Sequence, residues 1–458
     1  MKRRTFIGAC GAAALASSWT RRSRAASRPN FLVILTDDQT FRAIGYNNPL
    51  VRTPSLDRLA GEGIVFDRAF IATPICLASR ASLLTGVFPQ QHQSVGLDPA
   101  GFNKNVLEDR KFTTLPEALG KQGYICAFAG KSHLGDPAPY GFNEGSENKP
   151  RDDDEAFAFA SSFLSQRGAD GKPFLLWLAT HQPHVPLVPG DEWTDLYRDQ
   201  EIPLDPNFKV DPPEGSLFNQ GLPGERFYRD SGATNNFNQA RSGPPREAEE
   251  MKDFIRGYYA TISRLDAQIG KTIDDLKQAG LYDNTAIVFL SDNGYMLGNH
   301  GLGNKIVMLE ESVRVPMFVS WKGLPNKGVR CGELVSSLDV YPTLLDLAGV
   351  EKPKQLEGQS LVPLFENPDR PLHEVVFSEC VGVGGKPGQG HRMARTKRWK
   401  YILTDENEEA LFDEEEDPYE LNNLASSQEH QDILNELRSH LREWMKEVGD
   451  RDWPFGEP

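Results

Sequence analysis

FLVILTDD (Phe31–Asp38) and, far downstream, TAIVFLSDN (Thr285–Asn293) are short apolar runs that each stop abruptly in carboxylate or amide residues. A continuous apolar run of this length reads as a strand buried on both faces, as in a parallel sheet. Outward from these two runs the same punctuation repeats. Thr53-Pro54 reads as a helix cap with proline in the first turn, leading SLDRLAGEG. Thr114 opens a second such unit, TLPEALGKQG, and Tyr124 to Ala129 is the strand that follows. PFLLWLAT (Pro173–Thr180) is another buried strand, and a long periodic helix from about Glu247 to Gly280 precedes Thr285. VPMFVSW near Val315 supplies one more strand. Strands alternating with helices predict an α/β fold with a large, mainly parallel sheet sandwiched by helices.

The rest of the chain departs from that rhythm. Between Pro186 and Pro245 the composition shifts to Pro, Gly, Asn and charge, the mark of long loops that often carry substrate selectivity. From about Glu374, VVFSEC, RMARTK, WKYILT and ALFD follow in succession, and a helix from Gln428 to Val448 closes the chain. Strands in a row followed by a helix predict a smaller C-terminal antiparallel α+β subdomain. With 458 residues the chain exceeds what one ordinary core supports. The expected division is a leader over 1–27, a catalytic domain over 28–370 and the C-terminal subdomain over 371–458. The acidic run DEEED from Asp413 reads as a solvated turn. The basic run His391 to Lys400 reads as the exposed face of an edge strand, charged against aggregation.

The formal charge of -15 argues against nucleic acid as a partner, because phosphate binding needs a basic face. An anionic substrate would have to be drawn by a local cationic cluster. At the N-terminus, paired Arg3 and Arg4 precede the apolar stretch Phe6 to Ala16, which is too short to span a bilayer. This reads as a twin-arginine secretion signal and predicts export to the periplasm or beyond, with no transmembrane anchor. The five cysteines include no CxxC pair, so neither a zinc site nor a disulfide framework is supported. Cys126, inside YICAFAG, reads as a small core residue.

In open parallel sheets the functional groups gather outside the carboxyl ends of the strands. Four predicted strands end that way: in Asp37-Asp38, in Gly130-Lys131-Ser132-His133, in Thr180-His181 with His184 close behind, and in Ser291-Asp292-Asn293. Asp37, Asp38, Asp292 and Asn293 offer only oxygen, which suits a hard cation, Ca²⁺ ahead of Mg²⁺, and does not suit zinc. One Asp-Asp pair alone would be a solvated turn; two pairs directly after buried strands favour a metal site. Lys131 and His133 stand two apart, so in an extended segment they face the same way. CLASRASLLTG (Cys76–Gly86) reads as a helix closed by glycine, with Cys76 at its start. There the free N–H groups, the helix dipole and Arg80 favour an anion. Cys76 itself is open to two readings at this point, a low-pKa thiolate nucleophile or a small buried residue.

CLASRASLLTG resembles the signature of the formylglycine-dependent sulfatases of the alkaline-phosphatase-like superfamily: Cys or Ser, any residue, Pro or Ala, any residue, Arg, then Thr-Gly. The likeness extends over LTDDQ at Leu35, GKSHLG at Gly130, HQPH at His181, SDNG at Ser291, LGNHGLGNK ending at Lys305, RVP at Arg314 and DVYPTLLDLAG at Asp339. WKYI and ALFDEEEDPYELNNLA look like the family's closing region. Ala78 stands where Pro is commoner, and Ser132 where an aromatic is frequent. The resemblance implies that a maturation enzyme oxidises Cys76 to formylglycine. Asp37, Asp38, Asp292, Asn293 and the hydrated aldehyde of residue 76 would then hold Ca²⁺. Arg80 would anchor the hydrate, Lys131, His184 and Lys305 would grip sulfate oxygens, and His133 would hydrogen-bond a hydrate hydroxyl. One hydroxyl would attack sulfur with Asp292 as base, while His184 or Lys305 protonates the leaving oxygen. Deprotonating the other hydroxyl through His133 would expel sulfate.

Other residues are weighed more plainly. His181 reads as structural, His300 as a candidate for lining the substrate pocket, and Arg314 as an ion-pair partner of Glu310 or Glu311. Export and the long loops favour a sulfated saccharide over a small aryl ester. The rival activities are phosphoryl or phosphonate ester hydrolysis on the same fold, and binding of sulfated glycans without catalysis. A zinc phosphatase would want more His and Asp ligands and a Ser or Thr nucleophile.

Overall fold

The computed structural model describes residues 28–147, 153–167, 171–220, 248–382 and 388–450. The leader expected over 1–27 lies outside them, as does part of the loop-rich stretch, residues 221–247. Eight strands form the main sheet: β1 (Asn30–Thr36), β2 (Gly63–Phe70), β3 (Ile125–Gly130), β4 (Glu144–Glu147), β5 (Phe174–Ala179), β6 (Thr285–Ser291), β7 (Met317–Ser320) and β8 (Val329–Ser336). Their spatial order is β4-β3-β5-β1-β6-β7-β2-β8. All pairings are parallel except those of β7, which runs against both β6 and β2. The sheet is thus large and mainly parallel, as the alternation of elements predicts.

The apolar runs are continuous because both faces of the central strands are covered. Along β1, Phe31, Val33 and Leu35 enter one core, with Trp177 of β5, Val288 of β6, and Leu77, Ala81 and Leu84 of the helix α2 described below. Leu32 and Ile34 enter the other, with Leu176, Phe289 and residues of the covering helices. The period-two split assigns alternate residues to opposite faces, each fully out of water.

The helices that place the site are α1 (Pro54–Gly61), α2 (Cys76–Thr85), α3 (Leu115–Gly120), α4 (Asp153–Arg167) and α5 (Ala248–Gln278). Thr53 occupies the N-cap of α1 as expected, but its side chain caps nothing. The carboxylate of Asp266, on α5, instead accepts from the N–H groups of Ser55 (3.0 Å) and Leu56 (2.7 Å). Tertiary packing thereby supplies the cap that the local sequence advertises. At α3 the local signal holds: Thr114 accepts from the Glu117 N–H, and the Glu117 carboxylate accepts from the Thr114 N–H. Cys126 is fully buried in the core, as read from its apolar surroundings.

A separate four-stranded antiparallel sheet follows, β9 (Val376–Cys380), β10 (His391–Arg395), β11 (Trp399–Thr404) and β12 (Glu409–Asp413), ordered β12-β11-β10-β9. It packs against a final helix, α6 (Gln431–Glu447), through Leu434, Leu437, Leu441 and Trp444, the last stacked 5.0 Å from Phe377. Here one expectation is overturned. β10 is an interior strand, and His391 to Arg395 are all buried, as is Lys400. These basic groups do not guard an edge; they are held by buried acids remote in sequence. Lys400 lies 2.8 Å from Glu310 and 2.7 Å from Glu420, and Arg395 lies 3.2 Å from Glu310. DEEED is likewise only partly a solvated turn, because Asp413 is buried against Arg398 (2.6 Å) and Glu414 lies 3.5 Å from Lys400.

Candidate active site

The four strands whose ends were singled out are neighbours in the sheet, in the order β3-β5-β1-β6. Backbone bonds carry the register past the strand ends: Lys131 N–H to Ala179 O (2.8 Å), Thr180 N–H to Leu35 O (2.8 Å) and Asp292 N–H to Thr36 O (2.9 Å). Asp37, Lys131, Thr180 and Asp292 therefore sit at one level. Asp38 takes a left-handed backbone (φ 64°), braced by Tyr258 of α5. The Tyr258 hydroxyl donates to Asp38 O (2.5 Å) and accepts from Thr40 N–H (3.1 Å).

Above these strand ends stands the N-terminus of α2. Cys76 is its first residue, the N-cap Ile75 has no side chain able to cap, and Gly86 (φ 72°) ends the helix with its N–H on Ser82 O. The free N–H groups of that first turn are the ones that favour an anion. Burial pushes the Cys76 thiol up, with Lys305 and Lys131 pulling the other way. That tells against the thiolate reading left open by the sequence.

Arg80, one turn on and 3 % exposed, ties the strand ends together. Its Nε donates to Asp292 Oδ2 (2.7 Å), one Nη donates to Lys131 O (2.5 Å), and the other lies 3.5 Å from both Thr180 O and Asp37 Oδ2. Ser79 donates to Asp292 O (2.6 Å). The Lys131 ammonium bonds Asp37 Oδ2, and the Lys305 ammonium bonds Asp38 Oδ1 while lying 3.8 Å from Asp37 Oδ1. Asn293 Nδ2 donates to Asp38 Oδ1 (2.6 Å) and to Gly294 O (2.9 Å). Three carboxylates and three cations are thus gathered out of water.

Charge balance is visible in the proton affinities. Burial works against the Asp37 carboxylate, but Lys131, His184, Lys305 and Arg80 together hold its carboxyl well below the usual range. Asp38 and Asp292 are pushed up to about 6, chiefly by burial, with the Asp37 charge adding to it. Burial also lowers His133 and His184 to about 3, so both imidazoles are neutral.

The donor set fits a hard cation. After all these bonds, Asp37 Oδ1, Asp38 Oδ2 and Asn293 Oδ1 remain buried oxygen acceptors with no hydrogen-bond partner among the described residues. Lone pairs left over on oxygen, beside partly protonatable carboxyls, are what Ca²⁺ coordination would satisfy. His184 Nε2 lies 3.8 Å from Asp38 Oδ2 and belongs to the same group of ligand atoms. Its Nδ1 is 2.6 Å from Val185 O, which fixes the ring.

His133 lies within electrostatic reach of Lys131, Asp37, Arg80 and Lys305, but its backbone departs from expectation. His133 has φ 65°, so the segment after Lys131 turns there and is not extended as the two-residue spacing assumed. His300 is 3 % exposed, stacked 5.8 Å from Phe218 and grouped with Glu311 and Glu420, apart from the carboxylates at the sheet end. Arg314 does pair with Glu310, at 3.2 Å. His181 is positioned through its backbone: the Asp153 carboxylate accepts from the N–H groups of His181 (2.6 Å) and Gln182 (2.9 Å). Asp153 and Tyr258 both brace the site, yet neither belongs to a motif; each acts from a helix remote from what it holds.

Comparison with known proteins agrees with this geometry. The sulfatase family model matches residues 29–350, and the model described as N-sulphoglucosamine sulphohydrolase, C-terminal, matches residues 298–447. An ulvan-active sulfatase of Formosa agariphila is 28% identical, over 93% of this chain and 82% of its own length. An N-acetylglucosamine-6-O-sulfatase of Bacteroides thetaiotaomicron is 27% identical, over 98% of this chain and 92% of its own. A solved structure in complex with its substrate D-glucosamine-2-N,6-O-disulfate superposes with a TM-score of 0.80 at 25% identity, covering 93% of this chain and 99% of that one. Since a family model covers well over half of its length, the chain belongs to the sulfatase family, enzymes that hydrolyse sulfuric esters.

Proposed function

We propose that this sulfatase removes sulfate from sulfated saccharides, with residue 76 matured to formylglycine and Ca²⁺ held by Asp37, Asp38, Asp292 and Asn293. The observation that carries the reading is Cys76 at the uncapped start of α2, within electrostatic reach of Lys131, Lys305, Asp37 and Asp292. The saccharide preference is supported by relatives named for ulvan and N-acetylglucosamine-6-O-sulfate, and by the disulfated glucosamine complex.

The cation would supply positive charge that polarises a sulfate oxygen. The aldehyde would supply, as its hydrate, a hydroxyl nucleophile and a second hydroxyl through which sulfate can leave. The chain's own residues do the remainder. Lys131, His184 and Lys305 bind the sulfate oxygens, and the two lysines supply the local positive charge that a chain of net charge -15 needs for an anionic ester. Arg80 fixes Asp292 and keeps charge balanced beneath the nucleophile. Asp292, pushed up to about 6, is suited to take a proton near neutral pH. His133 is neutral and able to accept one; Lys305 carries a proton at neutral pH and His184 does not, so Lys305 is the donor we assign to the leaving oxygen.

Residues 28–370 would form the catalytic domain and 371–458 the C-terminal subdomain, after removal of a leader that directs export. Among the described residues no helix is long and apolar enough to cross a membrane. A maturation enzyme able to act on the Ala78 form of the motif is the implied partner. The test is a panel of regiospecifically sulfated saccharides, an aryl sulfate and a phosphonate monoester, read by released sulfate or alcohol. Sulfate release from at least one saccharide at a rate exceeding the aryl ester is expected. Turnover of the phosphonate ester alone would overturn the reading.

A further inference from the structure

A second group of metal-binding side chains lies apart from the sulfate site. We propose that His300, Glu311 and Glu420 form a structural site for a transition-metal dication, zinc, which ties the segment after β12 to the loop that carries Lys305. One ligand atom from each residue lies within 4.8 Å of the other two, and all three side chains are buried. His300 and Glu311 come from the connection between β6 and β7, Glu311 from its helical turn Glu310–Val313, and Glu420 from the segment beyond β12.

The two carboxylates are held by donors from outside the group. Glu311 Oε1 accepts from Arg42 Nη1 (2.8 Å) and Asn207 Nδ2 (3.1 Å). Glu420 Oε1 accepts from Lys400 (2.7 Å), and Oε2 accepts from the Glu310 N–H (2.8 Å). A hydrogen bond to the Tyr419 carbonyl accounts for one nitrogen of His300. What is left over is Nε2 of His300 and Oε2 of Glu311, buried, with no hydrogen-bond partner among the described residues. Metal-ligating histidines are held in this manner, the second ring nitrogen on a backbone carbonyl and the carboxylates on outer donors.

Two buried lone pairs without a donor, beside a Glu420 carboxylate that already accepts from Lys400 and the Glu310 N–H, leave a place for a cation that all three residues can share. The neighbouring positive groups are engaged elsewhere as well: Arg42 also pairs with Asp205 (3.0 Å), and Lys400 with Glu310 and Glu414. One imidazole with two carboxylates suits zinc, whereas calcium takes oxygen ligands. Glu311 also lines a cavity of about 450 Å³ beside Arg42, Asp205 and Tyr419. Both His300 (φ 52°) and Glu420 (φ 54°) also hold left-handed backbones that their side chains do not favour.

The test uses the full chain without an affinity tag, stripped with EDTA, returned to excess calcium and titrated with zinc sulfate against a chromogenic zinc chelator. One tight zinc equivalent is expected in the wild type and in Asp38→Asn, whose lesion lies in the calcium set. His300→Gln and Glu420→Gln should each weaken it at least about tenfold. Zinc should raise the thermal midpoint of the wild type and leave that of His300→Gln where it was. No zinc uptake by the wild type in excess calcium, or unchanged affinity in folded His300→Gln, would overturn the proposal. Loss of the zinc equivalent in folded Asp38→Asn would do the same. Should the ligand variants fail to fold, the wild-type and Asp38→Asn titrations decide it.

Discussion

Arg80 is the residue whose removal the geometry judges most sharply. It is buried with its guanidinium spread over the ends of β3, β5, β1 and β6, and its shortest charged contact is 2.7 Å to Asp292. Arg80→Ala leaves Asp292 as a buried carboxylate without its partner, a change that typically costs about 3–5 kcal/mol. The figure should fall at the low end, because Asp292 is already pushed up to about 6 and can protonate when its partner leaves. Arg80→Lys keeps the charge but cannot reach several strand ends from one ammonium, so it loses at least one charge-assisted bond, about 1.5–3 kcal/mol. Removing the acid as well, in Arg80→Ala with Asp292→Asn, takes away the stranded charge. The double-mutant cycle should therefore show coupling of about 2–3 kcal/mol. Urea unfolding followed by tryptophan fluorescence, in calcium buffer, measures it. Coupling below about 0.5 kcal/mol would mean that Arg80 and Asp292 are independent, and the charge-balance argument would fail.

Gly130 has φ 103°, and a Cβ there would sit 1.9 Å from Ala179 O, so Gly130→Ala should part β3 from β5 and misplace Lys131. A lower thermal midpoint with a lower kcat is expected, and wild-type values for both would refute the placement. Burial together with Asp450 raises Glu379 from 4.5 to about 8, so its contribution is full below about pH 4.5 and is lost as pH climbs through 8. Glu379→Gln stays neutral, so its thermal midpoint should gain on the wild type between about pH 5 and pH 9; parallel curves would contradict the shift. Exhaustive EGTA treatment should abolish sulfate release, and calcium at about 100 times its Kd should restore it with about 2.7 kcal/mol of stabilisation. Full activity after chelation would remove the cation from the account.

Much of this was legible in the sequence where local pattern and tertiary role coincide. β1 and β6 are apolar because both faces are covered, and they stop in Asp37-Asp38 and Asp292-Asn293 because the carboxyl ends of the strands are where polar groups meet. The reversed direction of β7 was not legible, since an apolar run carries no sign of which way its neighbours run. Charge was misread where its partners are remote. Lys400 and Arg395 look solvated until Glu310, Glu414 and Glu420 are brought to them by the fold. Thr53 and Asp266 make the same point at α1, where the local cap residue is present but a distant carboxylate performs the capping. The grouping of His300 with Glu311 and Glu420 was not legible either, since these residues come together only in the fold.

Everything proposed about the chemistry turns on the state of one side chain. Mass spectrometry of the peptide bearing Cys76, from active enzyme made in its native host, reads that state directly. The account predicts a peptide lighter by the exchange of CH₂SH for CHO, reactive toward a hydrazide, with activity proportional to the converted fraction. An unmodified thiol in fully active enzyme would contradict it.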